Sequence, residues 1–337
     1  MSTLLVLVKR NVKLYFKDKG MFFTSLITPA ILLLLYATFL GNIYVPLAWR
    51  NQYCGVFTCQ EKGDTYYFLD NEYYFKRAGL YGHYDDAERF AFFSRAVLEL
   101  IEHIDFRPDI IHCNDWQTAL VPTFLNAMYR PAFPNTKVMY TIHNVEYQGW
   151  ASADFFDDVL RLPWEYRSVL DMNNAVNVMK GAIETADLVT TVSETYAKEL
   201  MYPYYAHGMD SVLAGNAGKL TGITNGIDVS TFNPETDPAL RAHYNAQTLT
   251  KGKASCKKRL QQEVGLPQKA DVPLLVMVTR LAGHKGLDLL CYIARRLLLE
   301  EDCQLLILGT GEQHFQDFFL LQMHLVDLNP LHIILVC

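Results

Sequence analysis

The chain has 337 residues, half of them hydrophobic and a fifth charged, which excludes a disordered polymer and leaves room for about two domains. Thirty Lys and Arg against 36 Asp and Glu give a net charge of −6, the wrong sign for a protein that grips nucleic acid through its phosphates. Seven scattered cysteines (Cys54, Cys59, Cys113, Cys256, Cys291, Cys303, Cys337) contain no C-x-x-C pair, so reduced thiols are expected rather than a zinc ribbon or a disulfide framework.

In chain order, residues 20–49 carry no charged side chain, and 21–40 are nearly all apolar. As a helix rising about 1.5 Å per residue, such a run reaches roughly 30 Å, the thickness of a bilayer core. Lys9, Arg10, Lys13, Lys17 and Lys19 precede it with only Asp18 opposing, a bias that would keep the N-terminus in the cytoplasm. An apolar helix is therefore expected over residues 1–43, with membrane contact through 21–40; a buried core helix is the plain alternative. These residues resemble the start of an ABC-2-type permease.

Beyond Tyr44, short apolar runs recur and each closes on polar residues: 108–116, 138–144, 188–193, 274–280 and 305–312. β-favouring runs without clean alternation suit strands covered on both faces. Helix-like stretches lie between them, such as 85–104 with Phe90, Phe93, Val97, Leu98 and Ile101 on one face. Strands alternating with helices predict a doubly wound parallel α/β sheet, whose ligands sit beyond the strands' carboxyl ends. A dense set of turn formers over 222–238 marks a boundary, followed by a basic helix over 251–260 and a second group of strands. Two Rossmann-like α/β domains with a cleft between them are the expected architecture.

Several motifs are similar to those of bacterial glycogen synthase. They include Trp49-Arg50-Asn51-Gln52-Tyr53-Cys54-Gly55, Asp70-Asn71-Glu72-Tyr73-Tyr74-Phe75 and Asp86-Ala87-Glu88-Arg89-Phe90. Further along come His112-Cys113-Asn114-Asp115-Trp116-Gln117, His143-Asn144-Val145-Glu146-Tyr147-Gln148-Gly149, Thr224-Asn225-Gly226-Ile227-Asp228 and His284-Lys285-Gly286-Leu287-Asp288. The resemblance to the glycogen and starch synthase family covers about residues 44–322. It implies a GT-B fold: a glucosyltransferase domain over 44–222 lacking its first strand, and a partial nucleotide-binding domain over 223–337. It also implies transfer of glucose from ADP-glucose to the non-reducing end of an α-1,4-glucan with retention, no metal or other cofactor, and a cytoplasmic location unless the N-terminal run anchors the chain.

The resemblance assigns roles residue by residue. His143, after a buried strand, would hold hydroxyls of the transferred sugar. Asp115 would lie near the transfer site, with a helix N-cap over 116–128 as its ordinary alternative. Tyr81 would stack at the active-site cleft or simply pack. Asn144 and Asn225 would line the site or serve as turn residues. Arg280 and Lys285, five residues apart, would hold the diphosphate and stabilise the charge on departing ADP, unless they are plain solvated charges. Gly309 and Gly311 would let the backbone approach the nucleotide.

Two departures matter. The family's Lys-Thr-Gly-Gly-Leu-Gly-Asp loop has no counterpart here, and neither has its late Glu-x₇-Glu motif. Weak or absent catalysis is therefore expected of this chain, with a non-catalytic glucan- or nucleotide-binding remnant and a membrane-tethered fusion fragment as the alternatives.

Overall fold

The structure, a computed structural model, describes residues 38–48, 50–325 and 333–336. The chain forms two compact units, residues 1–225 and 226–337. In the first unit, β1 (Thr38–Leu47), β2 (Arg50–Glu61) and β3 (Asp64–Asp70) make an antiparallel meander. Alternation decides its buried face: Ile43, Val45 and Leu47 of β1 point inward with Cys54 and Val56 of β2, whereas Tyr44, Tyr53 and Phe68 stay exposed. Tyr44 pairs with Tyr53 and Phe57 with Phe68 across the strands.

Helix α1 (Asp86–His103) packs on β1 and on α2 (Leu120–Phe124). Because it is covered on two sides, its buried residues are Arg89, Ala91, Phe92, Ser94, Ala96, Leu98, Leu100 and Ile101. The single stripe expected from Phe90, Phe93 and Val97 is thus rotated, and those three are only half-buried. Next come β4 (Ile110–Asn114), β5 (Lys137–Ile142) and a small antiparallel sheet of β6 (Trp150–Ala151), β7 (Asp171–Met172) and β8 (Ala175–Asn177). After them follow α3 (Val178–Thr185), β9 (Leu188–Thr191), α4 (Glu194–Glu199) and β10 (Leu220–Gly222). The main sheet is parallel, in the order β10-β9-β5-β4. Its core is continuous with the antiparallel sheet's: Leu47, Phe92, Phe124, Tyr140, Ile142 and Val189 belong to one buried cluster.

The second unit opens on α5 (Leu249–Val264), whose Lys257 Nζ donates to the carbonyls of Ala270 and Val272. It continues with β11 (Leu274–Val278), α6 (Leu287–Glu300), β12 (Gln304–Leu308), α7 (Gln313–Leu325) and β13 (Ile333–Val336). The three strands are parallel in the order β11-β12-β13, over a small core of Leu281, Leu287, Leu305, Ile307, Phe315 and Phe319.

Burial on both faces holds for β5 and β9 but not for the edge strands. Ile110 of β4 is 63% exposed and Val278 of β11 is 69% exposed. The N-terminal expectation is corrected as well. Residues 38–43 are strand, part of a β1 that runs through position 44 without a break, and no helix among the described residues is long and apolar enough to cross a membrane. Residues 1–37, with most of the apolar run, lie outside the described residues.

One glycine of the His143 motif is fixed by packing. Gly149 has φ 71°, and a Cβ there would lie 2.4 Å from Val178 Cγ2 and 2.6 Å from Trp116 Cε3. Gly149→Ala is expected to cost about 2–4 kcal/mol, from left-handed strain and overpacking together, read as a lowered midpoint in urea unfolding.

Candidate functional site

The polar residues that close β4 and β5 meet at the carboxyl edge of the first unit's parallel sheet. Asp115 leaves β4 with φ 56° and ψ −177°, a conformation that costs an L residue about 1–3 kcal/mol. Backbone and side chain both hold it there. Its N–H donates to the Thr141 carbonyl at 2.9 Å, and its carboxylate Oδ1 accepts the backbone N–H of His143 at 2.8 Å. The Asp115 side chain makes no cap bond, so the N-cap alternative is overturned. The helix expected over 116–128 is broken into a 3₁₀ turn Trp116–Thr118, α2, and a π turn Leu125–Tyr129.

The His143 ring is fixed from the same turn. Asn114 Oδ1 accepts from His143 Nε2 at 3.0 Å, and a carboxamide oxygen can only accept, so the bond selects the ring form with a proton on Nε2. Asn144 folds back to accept the Glu146 N–H at 2.9 Å, a local turn. Beneath lies a polar chain: His112 Nε2 and Thr141 Oγ1 are 2.7 Å apart, and Thr141 Oγ1 and Thr190 Oγ1 are 2.6 Å apart. Burial, and then the neighbouring His143, hold the His112 pKa below its ordinary value and favour the neutral imidazole.

Asn114 and Asp115 also line a pocket of about 450 Å³, within the usual range for small-molecule sites. Its other wall is the Gly79–Gly82 loop with the exposed ring of Tyr81. Two arginines tie that loop down. Arg77 grips the Asp85 carboxylate with both terminal guanidinium nitrogens (Nη2–Oδ2 2.7 Å) and donates to the Tyr73 carbonyl at 2.9 Å. Arg89 is 3% exposed; it donates to the Tyr74 carbonyl at 2.7 Å, to the Leu80 carbonyl at 3.4 Å and to the Asp86 carboxylate. The Arg77 hydrogen bond holds the Asp85 carboxyl below the usual carboxylate range.

Asn225 ends the first unit in an exposed loop, where Thr224 Oγ1 donates to the Glu194 carboxylate at 2.9 Å. Arg280, Lys285, Gly309 and Gly311 all belong to the second unit. Arg280 and Lys285 are exposed and form no ion pair among the described residues; Lys285 closes the 3₁₀ turn Gly283–Lys285 just before the N-terminus of α6. Gly309 and Gly311 are required by a backbone crossing. A Cβ on either would fall within 1.8 Å of the Thr279 carbonyl oxygen or 2.2 Å of that of Leu281. Sequence reasoning missed Arg77, Arg89, Asn114 and Thr118, although all four lie in or beside motifs it singled out.

The chain superimposes with a TM-score of 0.80, at 32% identity, on the catalytic domain of starch synthase IV from Arabidopsis thaliana bound to ADP and acarbose, over 89% of this chain and 62% of that one. This is an α/β glycosyltransferase fold. The family described as starch synthase catalytic domain matches residues 26–215, more than half of the chain. The chain is 47% identical over 281 residues to a glycogen synthase of Bacillus cereus, and 46% over 283 residues to one of Geobacillus thermodenitrificans. These alignments cover 82% and 83% of this chain but only 59% and 58% of the relatives' length. The chain belongs to the glycogen and starch synthase family. The match begins at residue 26, inside the apolar run, and the permease resemblance is not carried by it.

Two outcomes are expected from this geometry. Asp115→Gly should be about 1–3 kcal/mol more stable than Asp115→Ala in urea unfolding, since both lose the carboxylate and only glycine accepts the backbone without strain. Because the folded pKa of Asp85 is depressed, its contribution is complete above the usual carboxylate pKa and is lost as pH falls through the lowered value. Wild type should therefore exceed Asp85→Asn in melting temperature at pH 7, and the gap should close only below about pH 4.

Proposed function

We propose that the chain carries the ADP-glucose-dependent glucan-elongating chemistry of its family: glucose moves from ADP-glucose to the non-reducing end of an α-1,4-glucan, with retention and without a metal. The observation that supports it most is the convergence of Asn114, Asp115 and His143 at the strand ends, with Asn114 and Asp115 lining the pocket that carries Tyr81, in a chain nearly half identical to glycogen synthases.

In this reading the first unit handles sugar. Tyr81 offers a ring face to a pyranose, and His143, held by its backbone and its ring, presents hydrogen-bonding groups to the transferred glucose. Asp115 orients that histidine; Asn144 and Asn225 shape neighbouring loops. The second unit supplies two exposed cations, Arg280 and Lys285, for a diphosphate and for the charge that grows as ADP leaves. Gly309 and Gly311 keep the adjoining loop low. The location that goes with this chemistry is the cytoplasm.

The test is incorporation of labelled glucose from ADP-glucose into maltoheptaose. Incorporation above the enzyme-free control is expected, reduced about 10²-fold or more by His143→Ala and by Arg280→Ala. Maltoheptaose binding with no incorporation would favour a glucan-binding role instead.

A further inference from the structure

We propose that Thr118 is the positioning residue for His143, acting through the strained turn that it closes; the consequence for catalysis rests on the sugar-binding reading above, whereas the geometry does not. β4 is an edge strand, and its last N–H, that of Asn114, is taken by Thr118 Oγ1 at 2.7 Å rather than by a neighbouring strand among the described residues. The same hydroxyl donates its single proton to the Asn114 carbonyl at 2.8 Å, with the Asp115 carbonyl a longer second acceptor at 3.4 Å. The Thr118 backbone N–H donates to the Asp115 carbonyl at 3.2 Å. One side chain therefore bonds donor and acceptor of the residue before the strained position, and also reaches that position's own carbonyl.

Asn114 and Asp115 are the two residues that hold His143, one by the ring and one by the backbone. Neither reaches across by itself. Asp115 presents Oδ1 to the His143 N–H only while its backbone stays at φ 56°, and Asn114 presents its amide oxygen only while β4 ends where it does. Trp116 anchors the turn's far side, its ring edge-on to Phe90 at 4.9 Å and against Gly149, but it bonds neither carbonyl. Among the described residues, the hydroxyl of Thr118 is thus the one side-chain group that ties down both residues holding His143.

The experiment is amide hydrogen exchange and nitrogen–proton NMR on the full chain, comparing wild type with Thr118→Val, Thr118→Ala and Thr118→Ser. The reporters are the His143 amide and ring; the Tyr140 amide in mid-β5 is the folding control. Both hydroxyl-free variants should lose about tenfold or more of the His143 amide protection and shift its ring signals, while Tyr140 keeps its protection. Thr118→Ser should restore wild-type behaviour. Thr118→Ala carries the test should the valine variant not fold, since it places no methyl against the Asn114 carbonyl. Wild-type protection at His143 in a folded hydroxyl-free variant would overturn the proposal, and so would a serine variant as impaired as alanine. If His143 is released but affinity for maltoheptaose and ADP-glucose is unchanged, the positioning role stands and the sugar-binding reading fails.

Discussion

At Asp115 the chain turns out of β4 in a backbone conformation that residues other than glycine rarely tolerate, and the first unit's site is arranged around that turn. A relaxed residue would let the strand run on and carry the carboxylate away from His143. Held as it is, Asp115 joins the ends of two adjacent parallel strands twice over, by its N–H to Thr141 and by its carboxylate to the His143 N–H. Between the start of β4 and Asn144, Asp115 is the one residue in the left-handed region. Around it the sheet is regular, and the continuous core supplies the stability that offsets it.

The loop opposite is held by a different device. Tyr81 is exposed on a glycine-flanked loop with little apolar anchorage of its own. Its position comes from guanidinium groups that reach carbonyls and carboxylates on either side of it, Arg89 from within the buried face of α1 and Arg77 from the loop's entry. Planar multi-donor groups suit this task, because one side chain can satisfy several orphaned carbonyls at once. In the second unit the comparable closeness is achieved by omission: Gly309 and Gly311 let one strand-end loop lie directly on another.

Much of the parallel framework was legible in the sequence. The runs at 108–116, 188–193 and 274–280 contain the strand found there, and those at 138–144 and 305–312 contain all of it but the first residue, because a short apolar run bounded by polar residues leaves few alternatives. The antiparallel meander was not legible. Its outward face carries Tyr44, Tyr53 and Phe68, so the alternation that would have announced it is masked by apolar residues on both faces. The apolar run was misjudged at its end for a related reason, since hydropathy does not distinguish a helix from the start of a strand and β1 begins within it. At the site, His143 and Asp115 could be found by motif and strand position. Thr118, Arg77 and Arg89 could not, since their importance lies in carbonyls they reach across a fold that had first to exist.

The separation of strain at 115 from restraint at 118 has an evolutionary consequence. The two positions are not free to drift independently, because neighbours in one hydrogen-bond network are coupled. A lineage that lost the threonine hydroxyl first would pass through a form with the strain unopposed. One that acquired glycine at 115 first would relieve the strain, give up the carboxylate, and free position 118 to vary. The order in which substitutions arrive, and not only their identity, thus decides which descendants of this turn keep a fixed histidine.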